Sequence, residues 1–401
     1  MFPIEFPTVI NSCIHVKIIS VIARRRRFKM KGLWKFLAVA LVLTTFAGCA
    51  GGAGKGVKVA LVFPLTGPVP TFGQSSKEGA ELAIKEWNER GGLLGSEIEW
   101  VVADSGCDGA TATDAANKVI DQDGVKFIIG AVCSSASIPI SEVANPKGVL
   151  QISPTSTNPK VTIGKDYVFR ACFLDPFQGE VLASFATNDL GATTAAVMYD
   201  KGNDYVLGLA EYFKQYFEEM GGQVVVYEAY TDADTDFSAI LSKVADADPD
   251  VLFLPDYYNK VNLIGKQAQE KGIGATLIGA DGWDSADLDV TAVEGGYHSN
   301  HYAPSDPRPV VQDFLAAYEA EYGKEPDALA VLAYDATNVL FTAIEEADSN
   351  DPAVVKDVLS GIQFEGVAGD ITFDAEGDPI KTAAIIHITG GEKQFLKFVA
   401  P

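Results

Sequence analysis

From Val57 onward, short apolar runs alternate with segments in which apolar residues recur every three or four positions. Residues 57–63 (VKVALVF) read as a buried strand. After a Pro/Gly turn, Ala80, Ala83, Ile84 and Trp87 mark one face of a helix that stops at Gly91-Gly92. Strand 98–103, helix 110–121, strand 126–130, helix 137–145 and strand 149–152 follow. A second series begins after Asp175-Pro176: helix 177–189, strand 193–199, helix 205–219, strand 223–227, helix 237–246, strand 251–254, helix 259–271 and strand 276–279. Helices return at 309–321, 327–347 and 352–360, before late strands at 370–373 and 383–388. Strands interleaved with helices predict parallel sheets covered on both faces, and the two series predict two doubly wound α/β lobes. A ligand site is expected where strand carboxyl ends face the cleft between them.

The first residues have a different character. Residues 1–48 hold eight cations (Lys17, Arg24, Arg25, Arg26, Arg27, Lys29, Lys31, Lys35) against one acid, Glu5. From Met30 a short cationic start leads into an apolar run from Leu37 to Phe46 and then to small residues before Cys49. This is the layout of a secretory signal, with an apolar run too short for an ordinary membrane span. Ala47-Gly48-Cys49 resembles a bacterial lipobox, which makes Cys49 the expected lipidation site, although Phe46 departs from the usual Leu. A signal cleaved elsewhere, or left uncleaved as an anchor, is the other reading. Residues 1–29 read as an extension upstream of a start at Met30, residues 30–48 as the signal, and residues 49–56, rich in Gly, as a tether. Arg25-Arg26-Arg27-Phe28 is only faintly similar to a twin-arginine signal.

Separating that segment sharpens the charge. The chain has 401 residues, 47% hydrophobic, with a net charge of −23. Beyond residue 48 there remain 23 cations against 53 acids, a net charge of about −30. The composition excludes disorder, collagen and a cysteine-dense mini-protein. So acidic a surface repels phosphate backbones, which excludes nucleic acid as a partner of the folded part. Past Cys49 the cysteines are Cys107, Cys133 and Cys172, with no C-x-x-C pair, so two of the three can pair in an oxidising compartment.

Enzyme signatures are missing from the sequence: it has no phosphate loop, no G-x-S-x-G elbow, no H-E-x-x-H, and no G-x-G-x-x-G after the first strand. No cofactor or metal site is expected. His298 and His301 lie among Gly, Ser, Asn and Pro, which favours a surface connection over a metal site. Asp232, Asp234 and Asp236 imitate the start of an EF-hand loop, but Phe237 and Lys243 occupy the positions that need Gly and Glu; Asp236 and Ser238 read better as a helix start.

Polar and aromatic residues just after strands are the remaining candidates. Ser134, Ser135 and Ser137 follow strand 126–130 and lead into a helix; Thr155, Ser156 and Thr157 follow strand 149–152. Each hydroxyl alone could be a helix cap or turn former. Two clusters after adjacent strands favour a shared anion site suited to a carboxylate. The second series offers Tyr205, Tyr257 and Tyr258, and Asp281 with Trp283. A lone Asp in a loop is usually a solvated turn, but an acid among aromatics suits an ammonium.

TGPVPTFG (66–73), DSGCDGATA (104–112), GAVCSSAS (130–137), ISPTSTNP (152–159), YDKGNDYVLG (199–208), PDVLFLPDYYN (249–259), GADGWD (279–284) and ITFDAEGDP (371–379) occur in an order and spacing that together resemble the branched-chain amino acid binding proteins, the type I periplasmic solute-binding subunits of ABC importers. The likeness runs over essentially all of 57–390. It implies two Rossmann-like lobes joined by a three-strand hinge, with lobe 1 as 57–174 plus 306–370 and lobe 2 as 175–305 plus 371–401. It implies a Cys107–Cys133 disulfide, leaving Cys172 as a buried thiol. It places the ligand carboxylate on Ser134 and Thr157, a carbonyl near Thr155 on the ammonium, Tyr205 and Tyr257 as second-lobe contacts, Asp281 as the acid that pairs with the ammonium, and Phe72 over the ligand side chain. Ser135, Ser156 and Trp283 are further candidates. Several relatives have Glu at Asp281 and some have Tyr at Phe72. The expected protein is a monomeric, lipid-anchored, extracytoplasmic amino-acid receptor that serves an ABC permease and is no enzyme. A binder of amides, urea or another small polar solute, or a ligand sensor, is the alternative.

Overall fold

Twelve strands among the described residues form two sheets. The computed structural model describes residues 56–401, which fall within one unit of the chain. The expectations for residues 1–29, for the signal at 30–48, for Cys49 and for most of the tether lie outside the described residues.

The first sheet has the order β2-β1-β3-β4-β5, all parallel, from β1 (Lys58–Phe63), β2 (Glu99–Asp104), β3 (Phe127–Gly130), β4 (Leu150–Ser153) and β5 (Val168–Arg170). Strands β3 and β4 are buried along their whole length, as parallel strands between helix layers must be. The connecting helices are α1 (Pro70–Glu89), α2 (Gly109–Asp121) and α3 (Ser134–Ala144). Asp108 caps α2 by accepting the Thr111 N–H at 2.8 Å. After β5 the chain crosses to the second sheet through α4 (Asp175–Ser184).

The second sheet has the order β12-β11-β10-β9-β8-β6-β7. Strands β6 (Thr194–Asp200), β7 (Gln223–Tyr230), β8 (Val251–Leu254), β9 (Thr276–Gly279) and β10 (Tyr297–Asn300) are parallel. They alternate with α5 (Asp204–Glu219), α6 (Ser238–Ala247) and α7 (Tyr258–Lys271). The chain then leaves for α8 (Pro309–Tyr322), α9 (Ala328–Ala347) and α10 (Pro352–Leu359), and returns as β11 (Ala383–Thr389) and β12 (Glu392–Val399), both antiparallel to their neighbours.

Helix α9 is apolar enough to cross a membrane by length and composition, but most of it is buried against the first sheet's helices. Gly79 of α1 makes the approach possible: a Cβ there would stand 2.0 Å from the Ala330 carbonyl oxygen. Trp87 then donates its indole N–H to buried Asn338 at 2.8 Å.

Three strands escape the sequence reading. Strand β5 is three residues long, β10 carries the polar YHSN, and β12 is a mostly exposed edge whose alternation is weak. The strand predicted at 370–373 is a correction: Ile371 and Phe373 make only isolated bridges, to Phe364 and Pro379. Predicted helix 177–189 ends its α-helical part at Ser184 and continues as a π turn, Phe185–Asp189.

Candidate functional site

The loops after β3 and β4 lie side by side. Cys107 and Cys133 form a disulfide that ties the turn after β2 to the first residue before α3, and among the described residues Cys172 is left as a buried thiol whose burial pushes it up to about 12. Ser134 opens α3, and its Oγ accepts the Asn158 N–H at 3.3 Å. Ser137 Oγ accepts the Ala131 N–H at 2.9 Å and lies 2.7 Å from Ser156 Oγ. Thr155 and Ser156 both donate to the Val132 carbonyl, at 3.0 and 2.9 Å. The hydroxyls of Ser137, Thr155 and Ser156 therefore hold the two loops together. The Thr157 hydroxyl is buried without a hydrogen bond of good geometry.

The second sheet faces these loops closely. Ser135 Oγ accepts the Asp204 N–H at 3.0 Å, and Asn158 Nδ2 donates to the Asp204 carbonyl at 2.8 Å. Thr71, at the start of α1, donates to Asp287. Phe72 meets Tyr257 and Tyr258 edge-on, with ring centres 5.6 and 5.1 Å apart, and Tyr205 stacks on Tyr257 at 5.1 Å.

Asp281 is the centre of the second-sheet cluster. Its Oδ1 accepts from the Tyr205 hydroxyl at 2.6 Å and from Gln178 Nε2 at 2.7 Å. Its Oδ2 lies 3.1 Å from His301 Nε2. Burial alone would raise the Asp281 carboxyl, but His301, Tyr205 and Gln178 outweigh it and hold the group below its ordinary value. Tyr205 also accepts the Gly282 N–H at 3.0 Å, fixing the loop that carries Asp281. The His301 ring stacks on Phe173, 3.8 Å between centres, in the segment leaving β5.

Two expectations change here. His298 and His301 are buried rather than surface-exposed: His298 belongs to β10, where burial lowers it to about 4, and His301 is a direct partner of Asp281. No cluster of metal-ligating side chains forms among the described residues. The Trp283 indole turns away from the cleft, donates to the Leu254 carbonyl at 3.0 Å, and packs under Gly279, where a Cβ would clash with its ring. Trp283 therefore fills the interior of the second lobe. Gln178 went unnoticed in the sequence because nothing in a helical pattern marks it, and His301 was read as a surface residue because its stretch is polar and rich in Gly, Ser and Asn.

An open groove of about 670 Å³ runs beside the site, between α1, the α8–α9 turn and β12. It contains none of the sequence-predicted site residues, most of which lie on the segments that follow the strands.

Two doubly wound lobes that close strand ends, hydroxyls, aromatics and a buried acid around a common cleft define a solute-binding protein. Residues 56–392 match the family model described as periplasmic binding protein, and the chain belongs to that family, which consists of solute-binding proteins rather than enzymes. The leucine-, isoleucine-, valine-, threonine- and alanine-binding protein of Pseudomonas aeruginosa is 34% identical over 349 residues, 85% of this chain and 92% of the relative. The leucine-binding protein LivK of Thermotoga maritima superposes with a TM-score of 0.83 at 37% identity, covering 86% of this chain and 99% of that one. The branched-chain amino acid transporter substrate-binding protein LivJ of Streptococcus pneumoniae, solved with isoleucine, gives 0.81 at 30% identity, covering 86% and 100%.

Proposed function

We propose that this protein captures a small amino acid, branched or aliphatic (Leu, Ile or Val), between its lobes outside the cytoplasm and delivers it to an ABC permease. The observation that carries the reading is the buried Asp281 cluster, an acid kept ionised among Tyr205, Gln178 and His301. A buried anion is costly without a counter-charge, and a ligand ammonium supplies one. Ser134 and Thr157, at the first-sheet strand ends, are assigned to the ligand carboxylate together with the backbone at the start of α3. Thr155 contributes its carbonyl to the ammonium, Tyr205 and Tyr257 contact the ligand from the second lobe, and Phe72 covers its side chain.

The lobes are assigned as 57–174 plus 306–370 and 175–305 plus 371–401, hinged by the three connecting segments. The ligand touches both lobes only when they are shut, so it stabilises the shut state. Lipidation at Cys49 would hold the receptor, as a monomer, at the outer face of the cytoplasmic membrane, and mass labelling with a radioactive fatty acid checks it against Cys49→Ser. A thermal-shift screen of the purified protein against amino acids, amides and sugars tests the ligand class. A ligand at about 100 times its Kd stabilises the fold by about 2.7 kcal/mol. Stabilisation by an uncharged amide and by no amino acid would overturn the role given to Asp281.

A further inference from the structure

Asp175 opens α4 at the point where the chain passes from the first sheet to the second. It is fully buried, and neither of its carboxyl oxygens has a hydrogen-bond partner of good geometry; the same holds for the hydroxyl of Thr157 beside it. The backbone locks the two together, since Asp175 donates its N–H to the Thr157 carbonyl at 2.9 Å. On the far side, α5 presents bare backbone: a Cβ at Gly208 would come within 3.1 Å of Asp175 Oδ2. Gln178, three residues on and therefore on the same face of α4, holds Asp281 at 2.7 Å. One face of α4 thus links the first-sheet and second-sheet groups: Asp175 adjoins Thr157, and Gln178 holds Asp281.

The two carboxyls are treated unequally. Asp281 has three polar partners. The cation that acts on Asp175 is Arg170, whose guanidinium is already committed to Asp378 at 2.5 Å, to the carbonyls of Ser156 and Asn158 at 2.5 and 3.1 Å, and to Thr162 at 2.7 Å. The other groups facing Asp175 are the neutral phenols of Tyr212 and Tyr257 and the carboxylate of Asp281. Burial pushes the Asp175 carboxyl up to about 8, with Asp281 adding to the rise and Thr157 and Arg170 opposing it.

We propose that Asp175 is a second anionic contact for the ligand ammonium, opposite Asp281, and that capture of the ligand expels the proton held by Asp175. The inference rests on the amino-acid reading above and adds a proton to its stoichiometry. The step is an ionisation: the Asp175 O–H bond releases its proton to solvent, the electron pair stays on the carboxylate, and that carboxylate pairs with the ligand NH3+. No bond in the ligand changes. The consequence is selectivity for solutes that carry an ammonium, because a carboxylate ligand lacking one cannot compensate an ionised Asp175.

Titration calorimetry of the whole protein with leucine, in phosphate and in Tris, counts the protons. Near pH 7 about one proton is released per leucine bound, and affinity rises by up to about tenfold per pH unit until about pH 8. Asp175→Asn binds leucine at least about tenfold more weakly near pH 8.5, and the gap narrows toward about pH 6, where wild-type Asp175 is already neutral. A merely structural Asp175 would give the same ratio at both pH values. Isocaproate, which is leucine without its ammonium, binds poorly and releases no proton. Leucine binding with no proton release and a pH-independent Asp175→Asn ratio overturns the inference and leaves the amino-acid reading standing; failure of every amino acid to bind overturns both. If Asp175→Asn does not fold, as judged by circular dichroism, the wild-type proton count decides alone.

Discussion

Ser134 and Thr157 differ from the other hydroxyls of their loops in what they touch. Ser137, Thr155 and Ser156 spend their hydrogen bonds on one another and on the Ala131 and Val132 backbone, whereas among the described residues Thr157 has no hydrogen bond of good geometry and Ser134 has one long one. Ser134→Ala and Thr157→Ala are therefore expected to weaken amino-acid binding by about 1 to 2 kcal/mol each, roughly tenfold, with little change in Tm. Calorimetry alongside thermal melts checks this, and a large loss of stability with unchanged affinity would return both residues to a structural role. Ser156→Ala should behave in the opposite way, since its hydroxyl bridges the two loops. At this scale the sequence pointed to two loops that the fold brings side by side but could not sort the hydroxyls within them, because a hydroxyl at a helix start looks the same whether it faces a ligand or a neighbouring carbonyl. It also passed over Gln178 and read His301 as a surface residue; both meet Asp281 through contacts 103 and 20 residues away along the chain.

Elements are placed by close packing and by one covalent tie. Gly79→Ala would drive a methyl into the Ala330 carbonyl, separating α1 from α9 or bending one of them. The expected cost is about 1 to 3 kcal/mol of unfolding free energy, read as a lower denaturant midpoint. The Cys107–Cys133 bridge closes a loop of sequence separation 26 and is expected to contribute about 3 kcal/mol. Melting with and without reductant measures it, and Cys107→Ser with Cys133→Ser should melt like the reduced protein and respond to reductant no further. Most helices and central strands were legible because their apolar spacing is set by burial on one face or two. The strand expected at 370–373 was not formed, and β5, β10 and β12 were not anticipated. Their apolar pattern is short or diluted, and their places come from pairing with β4, β9 and β11.

At the scale of the whole molecule, polar and aromatic contacts join the first-sheet loops to the second sheet, among them Thr71 with Asp287, Ser135 and Asn158 with Asp204, and Phe72 with Tyr257 and Tyr258. Such contacts are individually weak, so an equilibrium between open and shut forms should respond to their loss. Asp287→Ala is expected to weaken ligand binding by about two- to fivefold through the population of the shut form, with the unfolding midpoint unchanged. Small-angle scattering should show a smaller radius of gyration for the wild type with ligand than without it; equal radii would remove closure from the proposal. The sequence by itself determined the two doubly wound lobes, the acidic character of the chain beyond a basic N-terminal segment, and the strand ends that carry the candidate site, because alternation, helical spacing and charge are local properties. Only the tertiary structure decided which side chains share the cleft. It turned Trp283 into the interior, brought His301 and Gln178 onto Asp281, and buried the Asp175 carboxyl without a hydrogen bond of good geometry among the described residues, because burial and counter-charge depend on segments that the chain brings together only when both lobes are built.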